Sequence, residues 1–195
     1  MVLATDNQAV YMGDGNTLKA LNTENGEVTW QKALSGTIGD IAFRDGVLYI
    51  VIQSGVDDTK LVALNIKSQQ IDWSLPFTSG GGLLLANKIT VADHKIYTTN
   101  TQLAAINAND GTGLWQTKEL SSTLEHPIVS GNRVYVRSEL GMLYAFDKDS
   151  GSEIGSLNLQ NNSATGYEIA ELSPVITDDH LIIPIGSKWI VAIIP

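Results

Sequence analysis

Short apolar segments alternate with turn-forming residues along the whole chain. The apolar segments are rich in Val, Ile, Tyr and Thr, and Gly, Asp and Asn stand between them. This pattern is typical of β-strands joined by tight turns. No stretch carries a convincing helical period. Segments such as 61–66 are apolar on both faces, as expected of strands packed between neighbouring sheets. The pattern predicts an all-β protein.

Five similar segments recur along the chain, each centred on an alanine that apolar residues flank. The alanines are Ala20, Ala63, Ala105, Ala145 and Ala192, spaced 43, 42, 40 and 47 positions apart. A tryptophan follows ten positions after the first three, at Trp30, Trp73 and Trp115, and Gly155 takes that place after the fourth. Agreement in phase over the whole chain predicts a structural repeat of about 42 residues.

Each repeat contains a second apolar segment upstream of its alanine. An apolar residue precedes tyrosine in the first four repeats, and a turn-forming pair such as Asp45-Gly46 stands just before it. Another turn follows the alanine segment, at Asn25-Gly26, Asp110-Gly111 and Ser150-Gly151. The Asn-Gly and Asp-Gly pairs favour two-residue hairpins. Each repeat therefore reads as four antiparallel strands. Four strands in about 42 residues are typical of a β-propeller blade.

The period divides the chain into five blades within a single propeller domain. Their predicted bounds are 1–34, 35–77, 78–120, 121–159 and 160–195, and the last blade lacks its outer strand. We expect a partial ring, because no spare N-terminal strand is available to complete the last blade. The alternative is a ring that closes through a second copy. In either case open sheet edges can recruit other strands, which predicts self-association through the terminal blades.

The string Leu18-Lys19-Ala20-Leu21-Asn22, followed by Gly26 and Trp30, resembles the repeat of the quinoprotein-like (PQQ-like) propellers. The third repeat matches this pattern as well; the second lacks the glycine and the fourth lacks the tryptophan. The resemblance covers essentially the whole chain. The residues that carry the blade motif are Ala20, Gly26, Trp30, Ala63, Trp73, Ala105, Gly111, Trp115, Ala145, Gly151 and Ala192.

This family has enzymatic and non-enzymatic branches. The dehydrogenases of the family have eight-bladed rings that hold a quinone and Ca²⁺ near the axis. This sequence shows no recognisable set of residues for binding that cofactor. The other branch includes the propeller lipoprotein of the outer-membrane β-barrel assembly machinery. The resemblance to that branch implies a non-enzymatic, cofactor-free, protein-binding scaffold that is periplasmic, at the cell surface or secreted. The alternative is a ligand-binding or quinoprotein-dehydrogenase-like fragment whose site needs blades absent from this chain.

Composition narrows the classes of partner. The chain of 195 residues has 21 acidic and 12 basic residues, a formal net charge of -9. This balance argues against nucleic acid and anionic membrane surfaces, which attract clustered Lys and Arg. The absence of cysteine excludes disulfides and thiol chemistry. No apolar run approaches the roughly 20 residues of a membrane-spanning helix, so we expect no membrane insertion.

Several segments resemble chemical motifs without matching them. Glycine-rich 79–82 lacks the Gly-Lys-Ser/Thr of a phosphate loop, and we interpret it as a linker between blades. Segment 147–153 resembles the start of a calcium loop, but its phase makes it the hairpin of the fourth blade. The histidines His94, His126 and His180 have no metal-ligand spacing. We therefore predict no catalytic, cofactor or metal residues.

The long loops all belong to one predicted face of the propeller. They span residues 53–60, 78–87 and 158–173, and the last is the longest. It contains Tyr167, Glu168 and Glu171 beside glycine and asparagine residues. Because binding residues concentrate on loops held by a rigid scaffold, we predict that this loop contacts a protein or peptide partner. The alternative is that the loop merely spans a wider gap between blades.

Overall fold

The computed structural model describes residues 2–55, 58–77, 88–120, 122–159, 175–177, 180–185 and 188–193. Their strands form five separate antiparallel sheets. The first contains β1 (Val2–Thr5), β2 (Ala9–Asp14), β3 (Thr17–Asn22) and β4 (Val28–Ala33). The second contains β5 (Thr37–Arg44), β6 (Val47–Gln53), β7 (Thr59–Asn65) and β8 (Ile71–Phe77). The third contains β9 (Lys88–Ala92), β10 (Lys95–Thr99), β11 (Leu103–Asn107) and β12 (Gly113–Gln116). The fourth contains β13 (Ile128–Ser130), β14 (Arg133–Arg137), β15 (Met142–Asp147) and β16 (Glu153–Asn158). The fifth contains β17 (Val175–Ile176), β18 (His180–Ile185) and β19 (Lys188–Ile193).

Each sheet is one propeller blade whose strands pair in sequence order. The first strands of successive blades, β1, β5, β9, β13 and β17, lie beside one another and line the axis. The prediction of a partial β-propeller with four-stranded blades and a three-stranded fifth blade is therefore confirmed. We call the end that carries the second-to-third strand turns and the blade connections the loop face. The opposite end is the hairpin face.

Apolar cores fill the spaces between neighbouring blades. Side chains alternate between the two faces of a strand, so β6 sends Leu48, Ile50 and Ile52 into the core shared with the first blade. Its Tyr49 and Val51 enter the core shared with the third blade. A third core, containing Tyr97, lies between the third and fourth blades. This packing explains why the central strands are apolar on both faces.

The turns on the hairpin face are of two kinds. Between first and second strands, Asp45-Gly46 and Asp93-His94 form two-residue turns in which both residues have positive φ, from 48° to 79°. Between third and fourth strands the prediction of a two-residue hairpin is wrong. The loop of the first blade spans 23–27, because the Asn22 side-chain Oδ1 accepts the Glu24 amide at 2.7 Å and Gly26 donates to the Asn22 carbonyl at 2.9 Å.

The tryptophans of the second and third blades contact the hairpin of the next blade. Trp73 Nε1 donates to the Ala108 carbonyl at 3.0 Å, and Trp115 Nε1 donates to the Lys148 carbonyl at 3.2 Å. The Trp115 ring covers Gly151 so closely that a Cβ there would lie 2.5 Å from Trp115 Cε3. The motif glycine of one blade and the motif tryptophan of the preceding blade therefore form a single contact.

The repeated alanine makes room for the tryptophan within its own blade. Ala63 pairs with Trp73 and Ala105 pairs with Trp115 across the third and fourth strands. Ala20 pairs with Trp30 in the same way, and Ala145 pairs with Gly155. Ala20, Ala63 and Ala105 are buried, whereas the Ala192 side chain lies outside the described residues. A larger side chain opposite the indole would force the two strands or the ring apart.

Candidate functional site

The predicted partner-binding residues lie beyond the part of the chain that the structure describes. Tyr167, Glu168 and Glu171 fall within 160–174, and the glycine-rich 79–82 falls within 78–87. The structure does describe the rest of the loop face in the third and fourth blades. There the connection 117–127, excepting residue 121, and the turn 138–141 lie side by side.

Two polar side chains occupy equivalent positions near the loop face, one in the first strand of the second blade and one just before the first strand of the fourth blade. Asp40 lies two residues before Ala42, which pairs with Tyr49, and His126 lies two residues before Ile128, which pairs with Tyr135. Asp40 follows a β-bulge in β5. The bulge interrupts the ladder between Ile38 and Asp40, and the Asp40 side chain is buried.

Asp40 joins three blades. Its buried carboxylate accepts the Ile89 amide of the third blade at 2.9 Å through Oδ2. The same oxygen lies 3.2 Å from His126 Nε2 of the fourth blade. Its Oδ1 is 3.0 Å from the Ile41 amide, which donates to it. A buried carboxylate is stable only with such partners, so Asp40 is a structural junction beside the axis.

An ion pair with a buried arginine fixes the connection 117–127. The fully buried Arg137 of β14 bonds to the Glu125 carboxylate through its Nη2. The two residues also pair through the backbone, because the Glu125 amide donates to the Arg137 carbonyl at 2.8 Å. Thr99 Oγ1 of the third blade donates to the Glu125 carbonyl at 3.0 Å. The loop face of these blades is therefore held by contacts that cross the blade interface.

Sequence reasoning missed this arrangement. It considered His126 only as a possible metal ligand and did not consider Asp40, Glu125 or Arg137. A signal was present, since Ile38-Gly39-Asp40 and Leu124-Glu125-His126 occupy the same phase relative to Tyr49 and Tyr135. Which side chains face each other across the axis depends on blade geometry, which one sequence does not reveal.

The calcium-like segment 147–153 is the β15–β16 hairpin loop. Asp147 Oδ1 accepts the Ser150 amide at 2.8 Å, the Ser150 hydroxyl at 2.9 Å and the Asp149 amide at 3.1 Å. These hydrogen bonds lower the pKa of Asp147 below its ordinary value, and the two from Ser150 contribute most. The Asp147 carboxylate therefore stabilises its own turn.

Metal binding and a membrane-spanning helix find no support in the part of the chain that the structure describes. Among the described residues, no cluster of three or more His, Asp or Glu side chains could hold a metal ion. No helix within the same ranges is long and apolar enough to span a membrane. What these residues present is a loop face that hydrogen bonds and ion pairs hold in place.

The blade geometry and the Ala–Gly–Trp repeat define the chain as a propeller of the PQQ-like class. The family model for outer membrane protein assembly factor BamB matches residues 1–92 and 77–195. The chain belongs to this family, as its resemblance to the non-enzymatic PQQ-like propellers predicted. The family is named for an outer membrane protein assembly factor, which agrees with the prediction of a non-enzymatic propeller.

Curated relatives agree with this assignment, and solved structures share the fold. The chain is 26% identical to BamB of Yersinia pestis over 94% of its own length and 47% of that protein. It is 28% identical to BamB of Escherichia coli over 90% of its length and 44% of that protein. The crystal structure of BamB from Moraxella catarrhalis superposes with a TM-score of 0.71 at 16% identity, covering 98% of this chain and 57% of that one. The computationally designed Ika8 protein shares the fold with a TM-score of 0.76 at 14% identity, over 98% of this chain and 57% of Ika8. The chain spans about half the length of the curated relatives it matches.

Proposed function

We propose that the chain is a scaffold that binds a protein partner during outer membrane protein assembly, on the periplasmic side of that membrane. The observation that carries this proposal is the match of the BamB family model along the whole chain. The relatives bear the name of an outer membrane protein assembly factor. The fold supports the proposal because a propeller presents its loops on a rigid base.

We propose further that the partner binds the loop face, with 158–173 as the main contact and Tyr167, Glu168 and Glu171 as its contact residues. The cross-blade bonds of Asp40 and the buried Arg137–Glu125 ion pair support this assignment. They fix the base from which the loop extends, and a fixed base reduces the entropy lost on binding.

The test replaces 160–173 with a short Gly-Ser segment and retains Leu159, which is buried and anchored to the Gly141 carbonyl. The probe is the detergent-solubilised outer-membrane assembly machinery, purified from cells that lack their own BamB. We expect the replacement to abolish capture in biolayer interferometry without changing the thermal unfolding midpoint. The matched control replaces exposed Glu24 and Glu27 on the hairpin face with alanine. Capture that survives the loop replacement would overturn the proposal.

Self-association through the terminal blades remains a second proposal. Gly26 of the first blade has φ +74, close to the +75 of Gly111 and +70 of Gly151. Each of those two is covered by a tryptophan, whereas a Cβ on Gly26 would meet nothing within 4 Å. The first blade thus offers an open hairpin surface. We expect the sedimentation coefficient to rise with concentration, and a clean monomer at high concentration would contradict the proposal.

A further inference from the structure

The turn between β14 and β15 carries an exposed leucine on the loop face. Gly141 donates to the Ser138 carbonyl at 2.9 Å, and Ser138 donates to the Met142 carbonyl at 2.8 Å, which closes the turn. Gly141 has φ +77, a conformation that glycine adopts without strain. Leu140, in the middle of the turn, is 54% exposed.

Three further bonds fix this turn from neighbouring segments. The Leu140 amide donates to Ser122 Oγ at 3.3 Å, and the Glu139 amide donates to the Thr123 carbonyl at 3.0 Å. The Leu159 amide donates to the Gly141 carbonyl at 2.9 Å. The turn is thus bound to the connection 117–127 on one side and to Leu159, near the start of the proposed partner loop, on the other.

Leu140 differs from the described residues of the equivalent turns in the first three blades. Turns favour small and polar residues, and the described residues of the equivalent turns in the first three blades follow that rule. Those residues are Gly15, Asn16, Ser54, Gly55, Asp58, Asn100, Thr101 and Gln102. The other exposed large apolar side chains of the described residues lie on the outermost strands of the blades. They are Val28, Ile71, Leu114, Ile154 and Leu157.

We propose that Leu140 is the apolar anchor with which the loop face engages its protein partner. This inference rests on the proposed function and names a contact residue for the same face. A leucine on a fixed turn loses little conformational freedom when it enters a partner, so most of its burial contributes to affinity. No bond within the turn requires an apolar side chain at this position.

The negative charge of Glu139, beside Leu140, indicates the chemistry of the protein partner. Glu139 is exposed, and among the described residues it takes part in no ion pair. The chain as a whole carries a net charge of -9. A complementary partner therefore offers an apolar cleft for Leu140 with a Lys or Arg at its rim facing Glu139.

The first test compares Leu140→Ser with Leu114→Ser in binding to the solubilised assembly machinery. Leu114 is a matched control, because it is 45% exposed and lies on an outer strand. We expect Leu140→Ser to weaken binding about tenfold or more, as for loss of a buried leucine side chain. Leu114→Ser should leave binding unchanged, and Leu140→Met should retain most of it. Equal affinities for the two serine variants would overturn the inference.

The second test asks whether the partner carries a Lys or Arg that faces Glu139. Glu139→Lys should slow association and reverse its salt dependence, whereas Glu24→Lys, with the same charge change on the hairpin face, should not. Identical association rates for both variants would exclude a basic rim. If the 160–173 replacement abolishes capture while Leu140→Ser leaves it intact, only the anchor inference fails. If both leave capture intact, the proposed function fails as well.

Discussion

Trp73 of the second blade donates its indole N–H to the Ala108 carbonyl of the third blade at 3.0 Å. Tyr49, also of the second blade, donates its hydroxyl to the same oxygen at 3.3 Å. The third blade repeats the pair toward the fourth with Trp115 and Tyr97. Burial raises the pKa of Tyr97 to about 12, so its hydroxyl keeps the donated proton at neutral pH. Each of these blade interfaces thus combines an apolar core with two converging donors.

Removing the Trp73 donor should destabilise the interface measurably. We expect Trp73→Phe to lower the free energy of unfolding by about 1–3 kcal/mol, because the Ala108 carbonyl loses a partner and some ring contact is lost. Trp30 is the control, since among the described residues its indole N–H makes no such bond. Trp30→Phe loses similar ring contact only and should cost less. Urea unfolding checks the difference, and equal losses would contradict the role of the hydrogen bond.

The motif glycines offer a matched pair of substitutions. Gly26 and Gly151 have φ of +74 and +70, so alanine costs about 1–2 kcal/mol of backbone strain at either position. At Gly151 the new Cβ would also collide with the Trp115 ring, which adds about 1–3 kcal/mol. We therefore expect Gly151→Ala to be clearly more destabilising than Gly26→Ala in urea unfolding. Similar values would show that the ring moves away at little cost.

The three-blade junction at Asp40 predicts a larger effect than a surface aspartate gives. Asp40→Asn replaces one acceptor oxygen by an NH₂ group and removes the charge that faces His126. We expect a loss of about 1–3 kcal/mol in the free energy of unfolding. The exposed Asp58→Asn should change it by no more than about 0.5 kcal/mol. A double-mutant cycle with His126→Gln measures the part that belongs to the Asp40–His126 pair.

The blades could be predicted from the sequence because their motif residues recur along the chain. The motif alanines recur about every 42 positions, and a tryptophan follows ten positions after Ala20, Ala63 and Ala105, so the phase of the strands could be read directly from the chain. The hairpin type was predicted wrongly, because the Asn-Gly rule ignores the Asn22 side chain, which closes a longer loop. The Asp40–His126 contact could not be predicted, since it joins alternate blades across the axis.

Acid should destabilise the hairpin face through Asp147. Hydrogen bonds from Ser150 lower the pKa of Asp147 in the folded state, so the unfolded chain binds this proton more readily. The stability from Asp147 is present above the ordinary aspartate pKa of about 3.9 and is lost as pH falls through the lower folded pKa.

Asn22, Asn65 and Asn107 occupy the same hairpin position and accept amides through Oδ1. Asp147→Asn should therefore keep the turn while removing its titration. We expect the variant to have a nearly unchanged melting temperature at pH 7 and a smaller loss of melting temperature than the parent below about pH 4. Parallel acid profiles for variant and parent would show that Asp147 does not contribute.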